Sequence, residues 1–395
     1  MFSRRTGWPL ERNTLTREIE SRRARGLAVI DLTESNPTRC GFAYDSRAIL
    51  QALSKSAALE YAPDPRGPRS SRMAVAAYYE ERGARLEPEQ IFLTASTSEA
   101  YSYLFRLLAD PGDSVLVPQP SYPLFDFLAG LNDLEVIPYL LAYDSEWRID
   151  RDGLAGSVER ADRVLGIPRA IIVVHPNNPT GSFVKPEESQ AIVELCRRRE
   201  LAIIADEVFS DYALDAQAHS THAACESVLT FTLSGLSKIS ALPQMKLAWI
   251  VVNGPEDARR QALERLEIIA DTYLSVSAPA ALASPELLET RRSVQPEIRA
   301  RLQQNLAELE RQMDVADSGA RRLHVEGGWY AIVRIARDLA VSDDELATNL
   351  AREDGVLVHP GHFYGFQGEG HLVLSLLPQP AIFAEGIGKL RARIS

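Results

Sequence analysis

A chain of 395 residues, 45% hydrophobic and 25% charged, has the composition of a globular protein and exceeds the roughly 250–300 residues at which one core stops growing. Two lobes are therefore expected. A formal net charge of −11 argues against general affinity for nucleic acid. The early arginines (Arg4, Arg5, Arg12, Arg17, Arg22, Arg23, Arg25) are interleaved with Glu11, Glu18 and Glu20, which describes a solvated helix or arm rather than a binding tail. No apolar run approaches the roughly 20 residues that span a bilayer, and the start of the chain lacks the apolar core of a signal peptide. The expectation is a cytoplasmic protein with no membrane partner. Cys40, Cys196 and Cys225 are odd in number, far apart and without metal-ligand spacing, so neutral thiols and no metal site are expected.

In chain order, short apolar runs alternate with longer amphipathic stretches, the pattern of an α/β fold with parallel strands joined by crossover helices. Strands are predicted at IFLTA (91–95), DSVLVP (113–118), LEVIPYL (134–140), AIIVVHP (170–176), LAIIADE (201–207), SVLTFTLS (227–234) and LAWIVVNG (247–254). Most are continuously apolar, as strands covered on both faces must be. Among the helices, KPEESQAIVELCRRRE (185–200) is the clearest. Pro186 and two glutamates open it and arginines close it, in keeping with the helix dipole. Further on, long charged helices are predicted at 256–273 and 284–313, then a strand within GGWYAIVRI (327–335) and an α+β tail, the texture of a second, smaller domain.

Functional loops of a doubly wound sheet sit at the carboxyl ends of its strands, and four of these ends carry polar residues that packing does not require. After IFLTA come Ser96, Thr97 and Ser98 at the start of a helix. Free backbone N–H groups and the dipole would hold a phosphate there, although an ordinary N-cap uses the same residue types. After AIIVV comes HPNNPTG (175–181), whose asparagines serve either as turn formers or as amides for a ligand. Asp206 ends an apolar strand, where a carboxylate needs a cation or hydrogen-bond donors; a structural ion pair and a ligand contact both answer that need. The fourth end is SGLSK, where Lys238 follows Ser234, Gly235 and Ser237. A lone lysine there reads as a surface residue. The spacings Asn178–Asp206 and Asp206–Lys238 each match about one strand-helix-strand unit, so the polar groups can converge on one pocket.

With these residues in place, the chain resembles the class I/II aminotransferases, the aspartate aminotransferase-like branch of the fold type I enzymes that use pyridoxal 5′-phosphate (PLP). The resemblance covers nearly the whole chain through SNPT (35–38), YAPDPRGP (61–68), STSEA, PSYPLF (120–125), NNPTG, ADEVF, SGLSK and GVLVHPGHFYG (355–365). It implies the PLP-dependent transferase fold, a mostly parallel central sheet with helices on both faces plus a smaller α+β domain. The implied division is an N-terminal arm and part of the small domain over 1–45, a large PLP-binding domain over 46–275 and a small C-terminal domain over 276–395. Lys238 would be the catalytic residue, carrying PLP as an aldimine and moving the substrate's α-proton. The amino group would pass between an amino donor and a 2-oxo acid through a pyridoxamine form. Asp206 would pair with the ring nitrogen, Asn178 would meet the cofactor's 3-oxygen and Tyr122 would stack on the ring, core packing being the other reading of Tyr122. Thr97 and Ser98, with Ser96 as a near alternative, would hold the phosphate, with Ser234 and Ser237 nearby. Tyr61 would reach a neighbouring subunit's phosphate, which implies a homodimer with shared active sites.

Three departures from the family pattern stand out. Lys246 occupies the position of a phosphate-binding arginine and supplies a point charge without the planar fork. Phe209 replaces a tyrosine whose hydroxyl contacts the cofactor's 3-oxygen. Val373 stands where an arginine clamps the substrate carboxylate; either another cation takes over, Arg39 of the NPTRCGF loop being the candidate, with Asn36 a further substrate contact, or the substrate is not an ordinary α-amino acid. A PLP-dependent lyase or decarboxylase shares every cofactor contact and is the alternative chemistry. A PLP-binding regulatory protein is a more distant one, since about 40 residues before the main lobe are too few for a DNA-binding domain.

Overall fold

The continuously apolar runs become the central sheet because only there are both faces of a strand covered. The computed structural model describes residues 1–164, 166–215, 219–313, 319–335 and 342–394. Its strands are β1 (Ile30–Asp31), β2 (Ile91–Thr94), β3 (Ser114–Gln119), β4 (Glu135–Asp144), β5 (Glu146–Ile149), β6 (Pro168–Val174) and β7 (Ala202–Asp206), followed by β8 (Thr230–Gly235), β9 (Ala248–Asn253), β10 (Ala320–Arg322), β11 (Tyr330–Ile335), β12 (Val356–Leu357), β13 (His359–Pro360) and β14 (His371–Ser375). Eight of them form one sheet in the order β2-β9-β8-β7-β6-β3-β4-β5. The pairs β4-β3, β3-β6, β6-β7 and β7-β8 are parallel. Strand β9 runs antiparallel to both β8 and β2, so β2 points the same way as β8.

Alternate residues of these strands supply two cores, because successive side chains of a strand point to opposite faces. Ile172, Ile204, Phe231 and Leu233 face the helices Thr97–Leu108 and Glu256–Tyr273, packing with Leu104 and Leu266. Ile171, Val173, Ile203 and Ala205 face the helices Arg151–Val164 and Pro186–Arg199, packing with Val158 and Ile192. Fully burying an aliphatic side chain of this kind contributes about 1.5–3 kcal/mol, so these rows fix the register of the sheet.

All seven predicted sheet strands are present. Strand β5 was not anticipated: the run predicted to end at 140 continues to Asp144 and turns at Ser145 (φ 66°) into an antiparallel hairpin. Its alternating exposure lowers the apolar signal, which is why composition passed it over. The helix predicted over 284–313 is two, Ala278–Glu289 and Arg291–Met313. The break falls at Thr290, whose hydroxyl donates to the Leu287 carbonyl at 2.6 Å.

A second sheet, β10-β11-β14-β13, is antiparallel throughout. Its core joins Trp329, Ala331 and Leu374 to Leu302 and Leu309 of the helix Arg291–Met313 and to Phe383 of the helix Pro380–Ile394. Leu15, Ile19, Leu32 and Phe42 belong to the same cluster, and β1 pairs in parallel with β12. The N-terminal segment thus packs with the C-terminal third of the chain.

Candidate active site

The strand order places β3 beside β6, while the chain continues from β3 to β4 on one side and from β6 to β7 and β8 on the other. Such a reversal opens a crevice at the carboxyl ends of the strands. A cavity of about 320 Å3 lies there, within the size range of small-molecule sites.

Lys238 enters this cavity from the short helix Leu236–Ile239 that follows β8. Gly235 lets β8 come close to β9 just before it, since a Cβ at that position would lie 2.8 Å from the Ala248 Cα. The Tyr212 hydroxyl donates to the Lys238 carbonyl at 2.7 Å and holds the turn. Among the described residues the amine has no hydrogen bond and no ion pair. It sits 4.7 Å from the ring centroid of Trp329 and 5.2 Å from that of Phe209. Burial pushes its pKa down to about 8, with Asp206 pulling the other way. An amine poised this way supplies the neutral, nucleophilic form near physiological pH.

Asp206, the last residue of β7, also lines the cavity. The Tyr101 hydroxyl donates to its Oδ2 and the Val208 N–H to its Oδ1, each at 3.2 Å. Burial nevertheless pushes its pKa up to about 6, so two donors do not fully replace water and a cationic ligand atom would be favoured beside it.

The two asparagines of the NNPTG loop have different surroundings. Asn177 is fully engaged: its Nδ2 donates to the Pro120 carbonyl (3.0 Å) and Thr180 Oγ1 (2.9 Å), and its Oδ1 accepts from the Ser121 hydroxyl (3.1 Å). Asn178 lines the cavity, and its buried Oδ1 has no partner. Gly181 closes the loop in the left-handed region (φ 69°), where a Cβ would meet the Gly327 carbonyl at 2.5 Å. Ser96 is the N-cap of the helix Thr97–Leu108, accepting the Glu99 N–H at 3.1 Å, while Glu99 accepts the Ala95 N–H at 2.7 Å. Thr97 and Ser98 line the cavity, and their hydroxyls make no hydrogen bond among the described residues. The leading N–H groups of a helix have no intrahelical acceptor. Capping therefore falls to Ser96, and the hydroxyls of Thr97 and Ser98 are left to the cavity.

Tyr122, Phe209 and Ser237 complete this side of the cavity. Ser234 lies beneath it, fully buried, with its Oγ unpartnered. The remaining sequence candidates stand outside the lining. Lys246 is exposed with a left-handed backbone (φ 49°), and Tyr61 is 82% exposed. Arg39 is exposed, and the Asn36 side chain caps its own loop, accepting the Thr38 N–H at 3.1 Å and its hydroxyl at 2.8 Å. Val373 is enclosed in the core.

Sequence reasoning did not single out Thr33, Ser35, Tyr330, His359 and Tyr364, which also line the cavity. They come from segments that meet only through β1-β12 pairing and the second sheet. The SNPT and GVLVHPGHFYG segments were the available signal. Tyr101 looked like one aromatic on an amphipathic helix.

This geometry is that of a fold type I enzyme with a lysine at its centre. The model of the family "Aminotransferase class I and II" matches residues 28–379, and the chain belongs to that family. Glutamate-pyruvate aminotransferase AlaA of Haemophilus influenzae is 27% identical across 98% of this chain and 94% of its own. The AlaA of Escherichia coli K12 is 30% identical across 68% of this chain and 65% of its own. Alanine aminotransferase from Pyrococcus furiosus superposes with a TM-score of 0.88 at 22% identity, covering 100% of this chain and 99% of the other. Among the described residues no helix is long and apolar enough to cross a membrane, and none of the His, Cys, Asp or Glu side chains cluster as a metal site.

Proposed function

We propose that the protein is a PLP-dependent aminotransferase that moves an amino group between an amino donor and a 2-oxo acid. The observation that carries this reading is the buried amine of Lys238, unpaired, with its pKa near 8, in one cavity with Asp206. The donor set suits PLP: a nucleophilic amine for a carbonyl, a carboxylate for a basic ring nitrogen, an unpartnered amide for a ring oxygen and a helix N-terminus for a phosphate. Bound PLP supplies an electron sink that makes the substrate's α-proton acidic.

The chain's own residues then divide the work. Lys238 would hold the cofactor through its amine and, as a free amine, would act as the general base and acid for the substrate's α-proton. Asp206, oriented by Tyr101 and Val208, keeps a proton on the ring nitrogen. Tyr122 covers one ring face and Asn178 meets the ring oxygen, without help from a hydroxyl at Phe209. Thr97, Ser98 and Ser237 would hold the phosphate, and Lys246 would supply a counter-charge from outside the cavity lining. Tyr61, exposed in one subunit, would complete the phosphate site of a second, making the assembly a homodimer. The same reading assigns residues 46–275 to the cofactor-binding domain, 1–45 and 276–395 to the smaller one, and the cytoplasm as the working compartment. The named activities of the relatives favour transamination over a lyase or decarboxylase.

The test is an absorbance spectrum of the purified protein with and without an amino donor. A near-visible band that alanine or glutamate converts to a shorter-wavelength form, with stoichiometric 2-oxo acid released, is expected. Lys238→Ala should remove the covalent attachment, seen by mass spectrometry after borohydride reduction, and slow proton transfer by about 10²–10⁴-fold. A cofactor-free wild-type protein that cannot be loaded with PLP would sink the reading.

A further inference from the structure

Every 2-oxo acid carries a carboxylate, and a carboxylate drawn out of water is costly unless donors meet it. No arginine is among the residues lining the cavity, and its lysine, Lys238, is already committed to the chemistry. The other residues of the lining must therefore be searched for the carboxylate's partner. Ser35 and Tyr330 also line the cavity, as neutral hydroxyl groups. Val373 is 1% exposed and offers no polar atom.

His359 is different. In the antiparallel pairing of β13 with β14 it stands directly across from Val373, and residues opposite one another in such a pair project to the same face. Val373 stays in the core, while His359 is half-buried and reaches the cavity lining. Its Nδ1 lies 3.1 Å from the Tyr364 hydroxyl, and its other ring nitrogen has no hydrogen bond among the described residues. Burial keeps the Tyr364 phenol protonated. When that hydroxyl donates to Nδ1, the ring proton sits on Nε2, which becomes a donor for a ligand.

We propose that His359, oriented by Tyr364, is the specificity-determining residue that receives the substrate's carboxylate, through one hydrogen bond in place of a bidentate guanidinium. This rests on the aminotransferase reading above. A single donor is weaker and less selective by geometry than a planar fork. Substrates are thus held loosely at this end, and discrimination against a neutral hydrogen-bonding group in the carboxylate's place is modest.

The test titrates the holoenzyme with propionate, which has the carboxylate but no amino group to react, and with propanamide, its uncharged counterpart. Binding is read by calorimetry and by the shift of the absorbance band. In His359→Phe the propionate Kd should rise about tenfold or more, the worth of a hydrogen bond to a charged group, while the propanamide Kd should rise by less, about two- to tenfold, the worth of a neutral one. His359→Gln, which keeps an N–H donor, should recover part of the affinity, and Tyr364→Phe should lose an intermediate amount. An unchanged propionate Kd in a His359→Phe protein that retains its absorbance band would overturn the proposal and place the carboxylate on another residue, a partner subunit's included. Wild-type holoenzyme that does not bind propionate would also overturn it, by pointing to substrates without a carboxylate. Calorimetry reports propionate binding whether or not the absorbance band exists, so failure of the cofactor reading and failure of the His359 contact are separate results.

Discussion

At the scale of single residues the site is a set of costs that a ligand relieves. Asp206 is the clearest case, because its folded pKa of about 6 stands above the ordinary value of 3.8. Between those values the folded protein holds a proton that the unfolded chain has released, so stability falls as pH rises through that window and stays at its lower level above it. Asp206→Asn removes the charge and keeps an acceptor for the Val208 N–H, while its NH2 can donate to the Tyr101 hydroxyl, which then turns from donor to acceptor. The cofactor-free variant should therefore melt higher than wild type at pH 7 to 8, by at most about 3 kcal/mol of stability. The advantage should shrink as pH falls from about 6 towards 4 and be gone below about 4, where Asp206 is neutral in both states. Thermal unfolding across pH checks this; an advantage that grew on acidification would contradict it. The loaded variant should lose activity, since a neutral amide cannot keep the ring nitrogen charged. Asn177 and Asn178 make the same point: neighbours of one type differ because Asn177 has its partners within the protein and Asn178 does not.

At the scale of elements, the helix Thr97–Leu108 separates two roles that the letters STS leave merged. Ser96→Ala removes the cap and should cost about 1 kcal/mol of stability, with PLP affinity reduced only through the frayed first turn. Thr97→Val with Ser98→Ala leaves the Ser96–Glu99 cap in place and should change stability by less than about 0.5 kcal/mol. It should weaken PLP binding while leaving pyridoxal, which lacks the phosphate, nearly unaffected. Denaturant melts and equilibrium dialysis with the two vitamers check both halves. Equal losses for PLP and pyridoxal would show that the hydroxyls do not meet the phosphate. Strand β5 and the break at Thr290 are the elements that pattern reading missed. The first has too little apolar signal on its own, and the second leaves the helical pattern of the sequence uninterrupted.

At the scale of the whole molecule, the cavity is closed by parts of the chain that are remote in sequence. Thr33 and Ser35 precede the large sheet, Tyr330, His359 and Tyr364 follow it, and Phe209 packs edge-on against Trp329 at 5.2 Å between ring centroids. Tyr61 remains 82% exposed in the single chain, which motivates the shared-site homodimer. If Tyr61 serves the other subunit, Tyr61→Ala and Lys238→Ala proteins, each impaired alone, should regain activity when dissociated and reassociated together, because each hybrid contains one complete site. Light scattering should give twice the chain mass. No recovery in a mixture shown to contain hybrids would remove Tyr61 from the partner's site.

The sequence by itself determined the sheet and the lower half of the site. Continuous apolar runs specify strands buried on both faces, and a polar residue at such a strand's end has few places to go other than the crevice above it. That is why Asp206, Asn178, Thr97 and Ser98 could be placed at the crevice, whereas Lys238, alone a surface residue by its type, joined them only through their convergence and the family resemblance. These are local signals, carried by a handful of neighbouring residues. Tertiary structure alone decided which hydroxyl caps and which are left free, that Lys246, Tyr61, Asn36 and Arg39 stand outside this cavity, and that His359 faces it across from Val373. Those outcomes depend on pairings such as β1 with β12 and β13 with β14. They are set by which apolar faces bury together, and no local pattern in the chain encodes that choice.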